Sequence, residues 1–287
     1  MIKLNNDVCP FCGSSNAHFK KNVHGNLLFE CQDCTLQFFS PRKFNKDVYE
    51  GEKIQGIYES YHSLRKQPTI WLLELIKTIK NLNFNINDKL ILEIGAGDAL
   101  NYEYLKQNFK ISSNNYEILE VDSKSVAAAK KRGITTAYTQ FFDESFANQN
   151  SDKYDILIIT EVIEHQDNLN SFLENAFKIL KKDGLIFITT PNRERVFIKI
   201  GERTDMPPHH FLRYNKNFFI KNFKNQIQHI GYYFLDHNNL LEYTRLLSKS
   251  KFSTRKLWII FYPLLILKAI FAKLLNYGEG LVVVLKK

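Results

Sequence analysis

Short, mainly apolar runs recur along the central part of the chain, at residues 89–94, 118–121, 155–160 and 185–190. A strand with one exposed face alternates between apolar and polar positions, so these unbroken runs predict strands covered on both faces. Segments with apolar residues at helical spacing lie between them, most clearly at 169–180. Alternating strands and helices favour a parallel sheet with right-handed connections. The pattern predicts an α/β doubly wound, Rossmann-like sheet.

The first of these runs ends abruptly at Gly95 and Gly97, which are separated by one residue. Glycine lets the backbone bend sharply and approach a ligand without a Cβ in the way. In an open α/β sheet, ligands bind at the carboxyl ends of the strands. The next run ends in Asp122, where such a fold places an acid that accepts hydrogen bonds from a ribose diol. The sequence therefore predicts a nucleotide-like ligand at Gly95, Gly97 and Asp122.

All four cysteines fall near the start of the chain, in a C-x2-C-x18-C-x2-C pattern formed by Cys9, Cys12, Cys31 and Cys34. The first residues contain no apolar stretch long enough for a signal peptide, so we expect a cytoplasmic protein with reduced thiols. Two such pairs fit a tetrahedral zinc ion. Because four protein ligands leave no position for water, the predicted zinc is structural.

These patterns divide the chain into a zinc ribbon at 1–42, a linker or lid with a helix at 43–87, and a catalytic domain at 88–287. A hydrophobic helical insertion at about 255–276 precedes a final strand at 280–285, which we expect to be antiparallel. Basic residues interrupt the apolar run of the insertion, which fits an interfacial helix better than one that spans a membrane. Burial against the domain or another subunit is the alternative, and the sequence slightly favours it.

The chain is basic, with a net charge of +9 and an isoelectric point near 9.2. Such a charge suits nucleic acid or an anionic membrane surface as a partner. The lysines are spread along the sequence rather than concentrated in one motif, so we assign most of this charge to the solvated surface.

Several motifs in register carry a family resemblance. Glu93-x-Gly95-x-Gly97, then Val121-Asp122, then the segments at 153–165 and 180–192, resemble the class I S-adenosylmethionine-dependent methyltransferases. Ala99 stands where dinucleotide-binding dehydrogenases carry a third glycine, so the motif resembles the methyltransferases rather than those dehydrogenases. The resemblance implies that S-adenosylmethionine binds at Glu93, Gly95, Gly97, Asp122 and Glu161. It also implies contacts to adenine from Gln140 or Phe141, although the sequence favours Phe141 and Phe142 as a buried aromatic pair.

The cysteine pairs, followed by Tyr58 and Tyr61, resemble a subgroup of bacterial methyltransferases with an N-terminal zinc ribbon. In that subgroup the tyrosine segment leads to the cofactor, so both tyrosines are candidate cofactor contacts. Packing within a lid explains them equally well. A Pro-Pro-His-His segment borders the acceptor pocket in the same subgroup, which places His210 there.

Glu161-x-x-Glu164-His165 resembles the metal-binding motif of ubiquinone-pathway and small-RNA 2′-hydroxyl methyltransferases, in which a later histidine completes the site. His210 is the matching residue here, and Mg²⁺ or Mn²⁺ would bind the four side chains. In the alternative, which the sequence favours, no metal binds and His165 or His210, near Glu164, acts as the general base.

The resemblance implies methylation of a hydroxyl group on a small molecule or on a sugar or polysaccharide precursor. The alternative is an RNA-binding ribbon attached to a methyltransferase fold that acts on RNA. RNA-binding ribbons usually carry clustered basic and aromatic residues, and this ribbon offers only Phe19, Lys20 and Lys21. We therefore expect a small acceptor rather than a nucleic acid.

Overall fold

The computed structural model describes residues 8–42, 66–195, 205–234 and 255–287. The strands are β1 (Ala17–Val23), β2 (Asn26–Cys31), β3 (Gln37–Ser40), β4 (Ile91–Ile94), β5 (Tyr116–Leu119), β6 (Thr136–Tyr138), β7 (Tyr154–Thr160), β8 (Leu180–Pro191), β9 (Leu212–Arg213), β10 (Ile227–Tyr233) and β11 (Gly280–Lys286). The helices are α1 (Ile70–Asn81), α2 (Leu100–Asn108), α3 (Ser123–Lys131), α4 (Glu144–Gln149), α5 (Leu169–Ile179), α6 (Lys216–Asn222) and α7 (Arg255–Leu274).

A seven-stranded sheet forms the centre of the catalytic part, in the order β10-β11-β8-β7-β4-β5-β6. Five adjacent strands run parallel, in the order β8-β7-β4-β5-β6. Strand β11 is antiparallel to both of its neighbours. Every residue of β4 and β5 is buried, which explains why the apolar runs of the sequence were unbroken. The predicted Rossmann-like sheet with a final antiparallel strand is confirmed.

One predicted element differs in extent. The sequence predicts a helix over 217–228, but the helix is the shorter α6, and β10 begins at Ile227. The Asn215 side chain caps α6 by accepting a hydrogen bond from the Phe218 N–H. The residues after Phe223 pair with β11 instead of extending the helix, because pairing covers an otherwise open sheet edge.

The N-terminal segment forms a second, antiparallel sheet of four strands in the order β1-β2-β3-β9. Its fourth strand is contributed by residues far along the chain. Cys31 and Phe38 of the ribbon belong to the same buried apolar cluster as Leu157 and Tyr214. The predicted boundary at residue 42 therefore separates two sequence segments that share one core.

Helix α7 lies between β10 and β11, where the sequence predicts the hydrophobic insertion. Ala272 faces inward with 3% exposure, whereas Leu267, Ile270, Phe271 and Leu274 are 47%, 48%, 49% and 74% exposed. These four residues, which we call the α7 stripe, recur at helical spacing on one face. Among the described helices, none is long and apolar enough to cross a bilayer.

Candidate active site

The loop after β4 has the conformation that its glycines predict. Gly95 and Gly97 have φ angles of 72° and 55°, in the left-handed region where glycine is favoured. A Cβ on Gly95 would lie 2.5 Å from Cγ2 of Val162. The loop therefore approaches the neighbouring strand end closely and leaves its backbone exposed to a ligand.

Glu93 lies beneath this loop and is 1% exposed. Its carboxylate accepts hydrogen bonds from the Tyr116 hydroxyl at 2.7 Å and from Nδ2 of Asn101 at 2.5 Å. Asn101 also donates to the Thr160 hydroxyl at 3.1 Å and lines the cavity described below. The predicted cofactor residue Glu93 thus braces the strand ends around the loop.

The acid that ends β5 toward the glycine loop is Glu120, which the sequence interpretation missed. Its Oε2 accepts from the Gly97 N–H at 2.8 Å, and its Oε1 accepts from the N–H groups of Val121 and Asp122 at 2.7 and 3.0 Å. Burial raises the pKa of the Glu120 carboxyl above its ordinary value, and the three N–H groups oppose that rise. A carboxylate oxygen accepts about two hydrogen bonds, so Oε2 retains room for a ligand hydroxyl.

Asp122, the predicted ribose ligand, caps helix α3. Its side chain accepts from the N–H groups of Lys124 and Ser125 and from the Ser125 hydroxyl, at 3.4, 2.9 and 2.7 Å. It still reaches the cavity wall. Asp122 lies one residue before α3, in the N-cap position. Glu120 lies two residues earlier and contacts the glycine loop through the Gly97 N–H.

A cavity of about 410 Å³ opens at the carboxyl ends of the parallel strands. Its lining includes Gly95, Gly97, Glu120, Asp122, Phe141, Phe142, Glu161, Glu164, His165 and His210. Gln140 is exposed to solvent and is not part of this lining, whereas its neighbour Phe141 is. Tyr58 and Tyr61 lie outside the described residues. The glycine loop, Glu120 and Phe141 together supply the backbone, acidic and aromatic groups that a nucleoside requires.

Glu161 and Glu164 follow β7 and line the same cavity. Oε1 of Glu161 accepts from the hydroxyls of Thr189 and Tyr233 at 3.0 and 3.1 Å. Oε2 of Glu164 accepts from the Thr190 hydroxyl at 3.1 Å. Burial raises the pKa of both carboxyls, well above the ordinary value for Glu164, where the Glu161 charge adds to the effect. Oε1 of Glu164 has no hydrogen-bond partner among the described residues.

Two histidines face this carboxylate. Nδ1 of His165 lies 2.6 Å from the His209 carbonyl, and Nδ1 of His210 lies 3.1 Å from Oδ1 of Asp205. Since a carbonyl and a carboxylate can only accept, each Nδ1 carries a proton in these hydrogen bonds. Burial lowers the pKa of His165 to about 3, so its imidazole is neutral.

Asp205 was not singled out by the sequence interpretation. It is 5% exposed, and its Oδ2 lies 3.2 Å from the guanidinium groups of both Arg195 and Arg213. Although burial opposes it, the hydrogen bond from His210 and these charges lower the Asp205 pKa, so the carboxylate stays ionised. It therefore fixes the orientation of the His210 ring.

Glu164, His165 and His210 form a cluster in which one donor atom from each lies within 4.8 Å of the others. The four-residue metal motif of the sequence also contained Glu161. The structure instead brings Glu161 to Tyr233 and Thr189, outside this three-residue cluster. What remains is one carboxylate and two imidazoles beside the cofactor cavity.

The model of a methyltransferase domain family matches residues 69–241, more than half of the chain. The chain belongs to this methyltransferase family. The ubiquinone biosynthesis O-methyltransferase of Rickettsia bellii is 28% identical over 160 residues, which cover 55% of this chain and 64% of that protein. The mitochondrial enzyme of Rattus norvegicus is 25% identical over 163 residues, covering 51% and 44%. The matched stretch thus spans less than two thirds of these curated relatives.

Solved structures agree on the fold. An S-adenosylmethionine-dependent methyltransferase from Archaeoglobus fulgidus superimposes with a TM-score of 0.51 at 12% identity, covering 75% of this chain and 94% of that one. Coclaurine N-methyltransferase gives a TM-score of 0.52 at 13% identity, covering 82% and 81%. The family model places this chain in the methyltransferase domain family, and its fold is that of S-adenosylmethionine-dependent methyltransferases.

The methyltransferase carries a second cluster of metal-binding side chains in its ribbon. The sulfurs of Cys9 and Cys34 lie 3.5 Å apart, as do those of Cys12 and Cys31. Four thiolates on one tetrahedral zinc would lie about 3.8 Å apart, given Zn–S bonds of about 2.3 Å. The donor set and spacing fit zinc.

We expect purified methyltransferase to contain about one zinc per chain, because four thiolates make a closed structural site. Cys31→Ser removes one ligand and should release the metal. Elemental analysis of protein prepared without chelator measures the content, with Phe19→Ala as the control, since Phe19 is 49% exposed on the ribbon surface. A wild-type preparation without zinc would rule the site out.

Proposed function

We propose that this methyltransferase methylates a hydroxyl group of a small acceptor that carries two neighbouring hydroxyls, in a sugar or an aromatic ring. The observation that carries the proposal is the cluster of Glu164, His165 and His210 beside the cofactor cavity. The names of the curated relatives, which are O-methyltransferases, agree with a hydroxyl acceptor.

The chain would hold the cofactor through the glycine loop and Glu120. Gly95 and Gly97 line the cavity without a Cβ, which allows close approach, and Oε2 of Glu120 has room for a ribose hydroxyl. Phe141 adds an aromatic side chain to the same lining. S-adenosylmethionine supplies a methyl group on a sulfonium, and its transfer to an oxygen needs in-line alignment and exclusion of water.

A hydroxyl acceptor must also lose its proton. With Nδ1 donating to Asp205, the neutral form of His210 has its lone pair on Nε2, and in that form this nitrogen can accept the proton as the O–CH₃ bond forms. The buried Asp205 carboxylate stabilises the resulting imidazolium. This arrangement supports the general-base role for His210.

The cluster also fits a divalent cation. One donor atom each from Glu164, His165 and His210 converge within 4.8 Å, and Oε1 of Glu164 has no hydrogen-bond partner among the described residues. Metal-binding histidines usually donate their other N–H to a carbonyl or a carboxylate, as His165 and His210 do. A bound Mg²⁺ or Mn²⁺ would lower the pKa of an acceptor hydroxyl. These contacts favour the metal-dependent alternative over the metal-free one that the sequence favoured.

Methyl transfer from labelled S-adenosylmethionine tests the proposal. Two acceptor panels, one of catechols and one of sugars and nucleotide sugars, should separate the two sources of a vicinal diol. Label is expected in one panel, with the single-hydroxyl analogue of the same compound reacting more slowly. Transfer to amines but to no hydroxyl compound would contradict it.

The RNA alternative receives less support from the ribbon. Lys20, one of its few basic residues, forms a salt bridge with Glu30 at 3.1 Å, and Phe19 packs edge-on against Phe29. Both side chains are therefore engaged within the ribbon. A gel shift with mixed RNA at rising salt tests this alternative, because phosphate-driven binding falls steeply with salt.

The α7 stripe supports peripheral contact with an anionic membrane. Large apolar side chains face outward while the small Ala272 faces inward. Lys273 is exposed beside the stripe, and the chain has a net charge of +9. Such a helix lies in the interface with its apolar face in the lipid and its charges near anionic headgroups.

We expect the protein to co-sediment with phosphatidylglycerol vesicles and to lose binding as salt rises. Each basic residue near the surface contributes about 1 kcal/mol, and each buried CH₂ about 0.8 kcal/mol. Ile270→Ser with Phe271→Ser should weaken binding, whereas Leu73→Ser, at a residue 43% exposed on α1, should not. A stable dimer without vesicle binding would assign the stripe to an interface between copies.

A further inference from the structure

The ribbon sheet is completed by a strand that belongs to the acceptor side of the active site. Strand β3 pairs on its outer side with β9, with Gln37 opposite Arg213 and Phe38 opposite Leu212. The Phe39 N–H donates to the Phe211 carbonyl at 2.9 Å. Because β9 begins two residues after His210, the ribbon fixes the backbone that carries this histidine.

The same short segment also touches the other half of the cluster. The Phe211 N–H donates to the Glu164 carbonyl at 2.8 Å, and the Tyr214 hydroxyl donates to the Ile163 carbonyl at 2.9 Å. One residue, Phe211, therefore joins the ribbon strand to the segment that carries Glu164 and His165. All three cluster side chains depend on this junction for their relative positions.

Side-chain contacts also connect β9 to His210. Arg213 of β9 lies 3.2 Å from Oδ2 of Asp205, and Oδ1 of Asp205 accepts from His210. Arg213 and Asp205 are 7% and 5% exposed. Displacement of β9 would therefore move the carboxylate that orients the His210 ring.

The cysteines determine where β3 begins. The Cys31 N–H donates to the Leu36 carbonyl and the Thr35 N–H to the Cys31 carbonyl, both at 2.9 Å. The Cys34 carbonyl accepts from Nδ2 of Asn222 at 3.0 Å, which ties the knuckle to α6. A metal that holds Cys31 and Cys34 together would keep Leu36 and β3 in register with β9.

We infer that the four-cysteine centre is a positioning element for the acceptor half of the active site and acts through β3 and β9 on His210. The cofactor half is held differently. The Gly95 N–H donates to the Leu119 carbonyl at 2.8 Å, and the Gly97 N–H donates to Glu120, both within the large sheet. The inference rests on the proposed function for the role of His210. It gives the four-cysteine centre a positioning role in the active site.

Hydrogen exchange on the full chain tests this coupling in zinc-loaded wild type and Cys31→Ser. Loss of zinc should speed exchange of peptides covering 205–214 by about tenfold or more, as expected when local opening becomes easier by about 1.4 kcal/mol. Peptides covering 91–99 should exchange as before. Calorimetry should give S-adenosylhomocysteine affinities within about twofold of each other, as expected when the binding free energy changes by less than about 0.5 kcal/mol.

Leu36→Ala covers the case in which Cys31→Ser fails to fold, because it keeps all four cysteines and loosens only the packing under β3. It should retain zinc and speed exchange at 36–40 and 205–214, whereas Phe19→Ala in β1 should not. Unchanged exchange at 205–214 without zinc, or equal acceleration at 91–99, would overturn the inference. Wild type that binds no S-adenosylhomocysteine would instead refute the proposed function, and the exchange comparison would still be decided.

Discussion

Glu120→Ala is expected to weaken binding of S-adenosylhomocysteine by roughly 10- to 100-fold. The substitution would remove the proposed hydrogen bond from a ribose hydroxyl to the Glu120 carboxylate, and a hydrogen bond to a charged group is worth about 1.5–3 kcal/mol. It also removes the acceptor that holds the Gly97 N–H at 2.8 Å and the N–H groups of Val121 and Asp122. Both losses act on the cofactor half of the cavity, and calorimetry measures their sum.

Asp122 supplies the matched control. Asp122→Ser keeps a side-chain oxygen for the N–H groups at the start of α3, and serine is a good helix cap. We expect this variant to bind with nearly wild-type affinity. Asp122→Ala should lower the free energy of unfolding by about 1 kcal/mol through loss of the cap. If Asp122→Ser lost as much affinity as Glu120→Ala, the ribose contact would belong to Asp122 instead.

This pair of acids shows where reading the sequence reaches its limit. The apolar runs predicted β4, β5, β7 and β8 because strands buried on both faces lack the regular alternation of apolar and polar positions. Residues two positions apart in an extended segment point to the same side, so the alternation of side chains does not separate the roles of these two acids. Glu120 and Asp122 differ by two positions, and only the helix cap distinguishes their roles.

The acceptor side was harder to predict for another reason. A single motif predicts Glu161, Glu164 and His165 as site residues, because they are close together in the sequence. Their partners come from distant segments: Asp205 orients His210, and Tyr233 from β10 engages Glu161. No local periodicity brings these partners to the motif, because they lie far from residues 161–165 in the sequence.

The second large effect is expected for metal binding at Glu164, His165 and His210. His210→Ala should abolish tight binding of Mn²⁺, because it leaves one carboxylate and one imidazole where three ligands converge. Asp205→Asn should weaken binding by about 10- to 100-fold, the usual cost of losing a group that orients a metal-binding histidine. His209→Ala is the matched control: it changes the neighbouring imidazole but keeps the carbonyl that accepts from His165. Titration of the chelator-treated protein measures these affinities.

Transfer assays then decide between the cation and the base. If the cation is needed, a strong chelator should abolish methyl transfer and added Mg²⁺ or Mn²⁺ should restore it, because the acceptor hydroxyl otherwise keeps its high pKa. If His210 works alone as the base, transfer should survive the chelator and disappear in His210→Ala. Zinc content must be followed in the same samples, since stripping the ribbon at Cys9, Cys12, Cys31 and Cys34 would also disturb His210 through β9. Loss of transfer that returns with Mn²⁺ while zinc stays bound would therefore assign the effect to Glu164, His165 and His210.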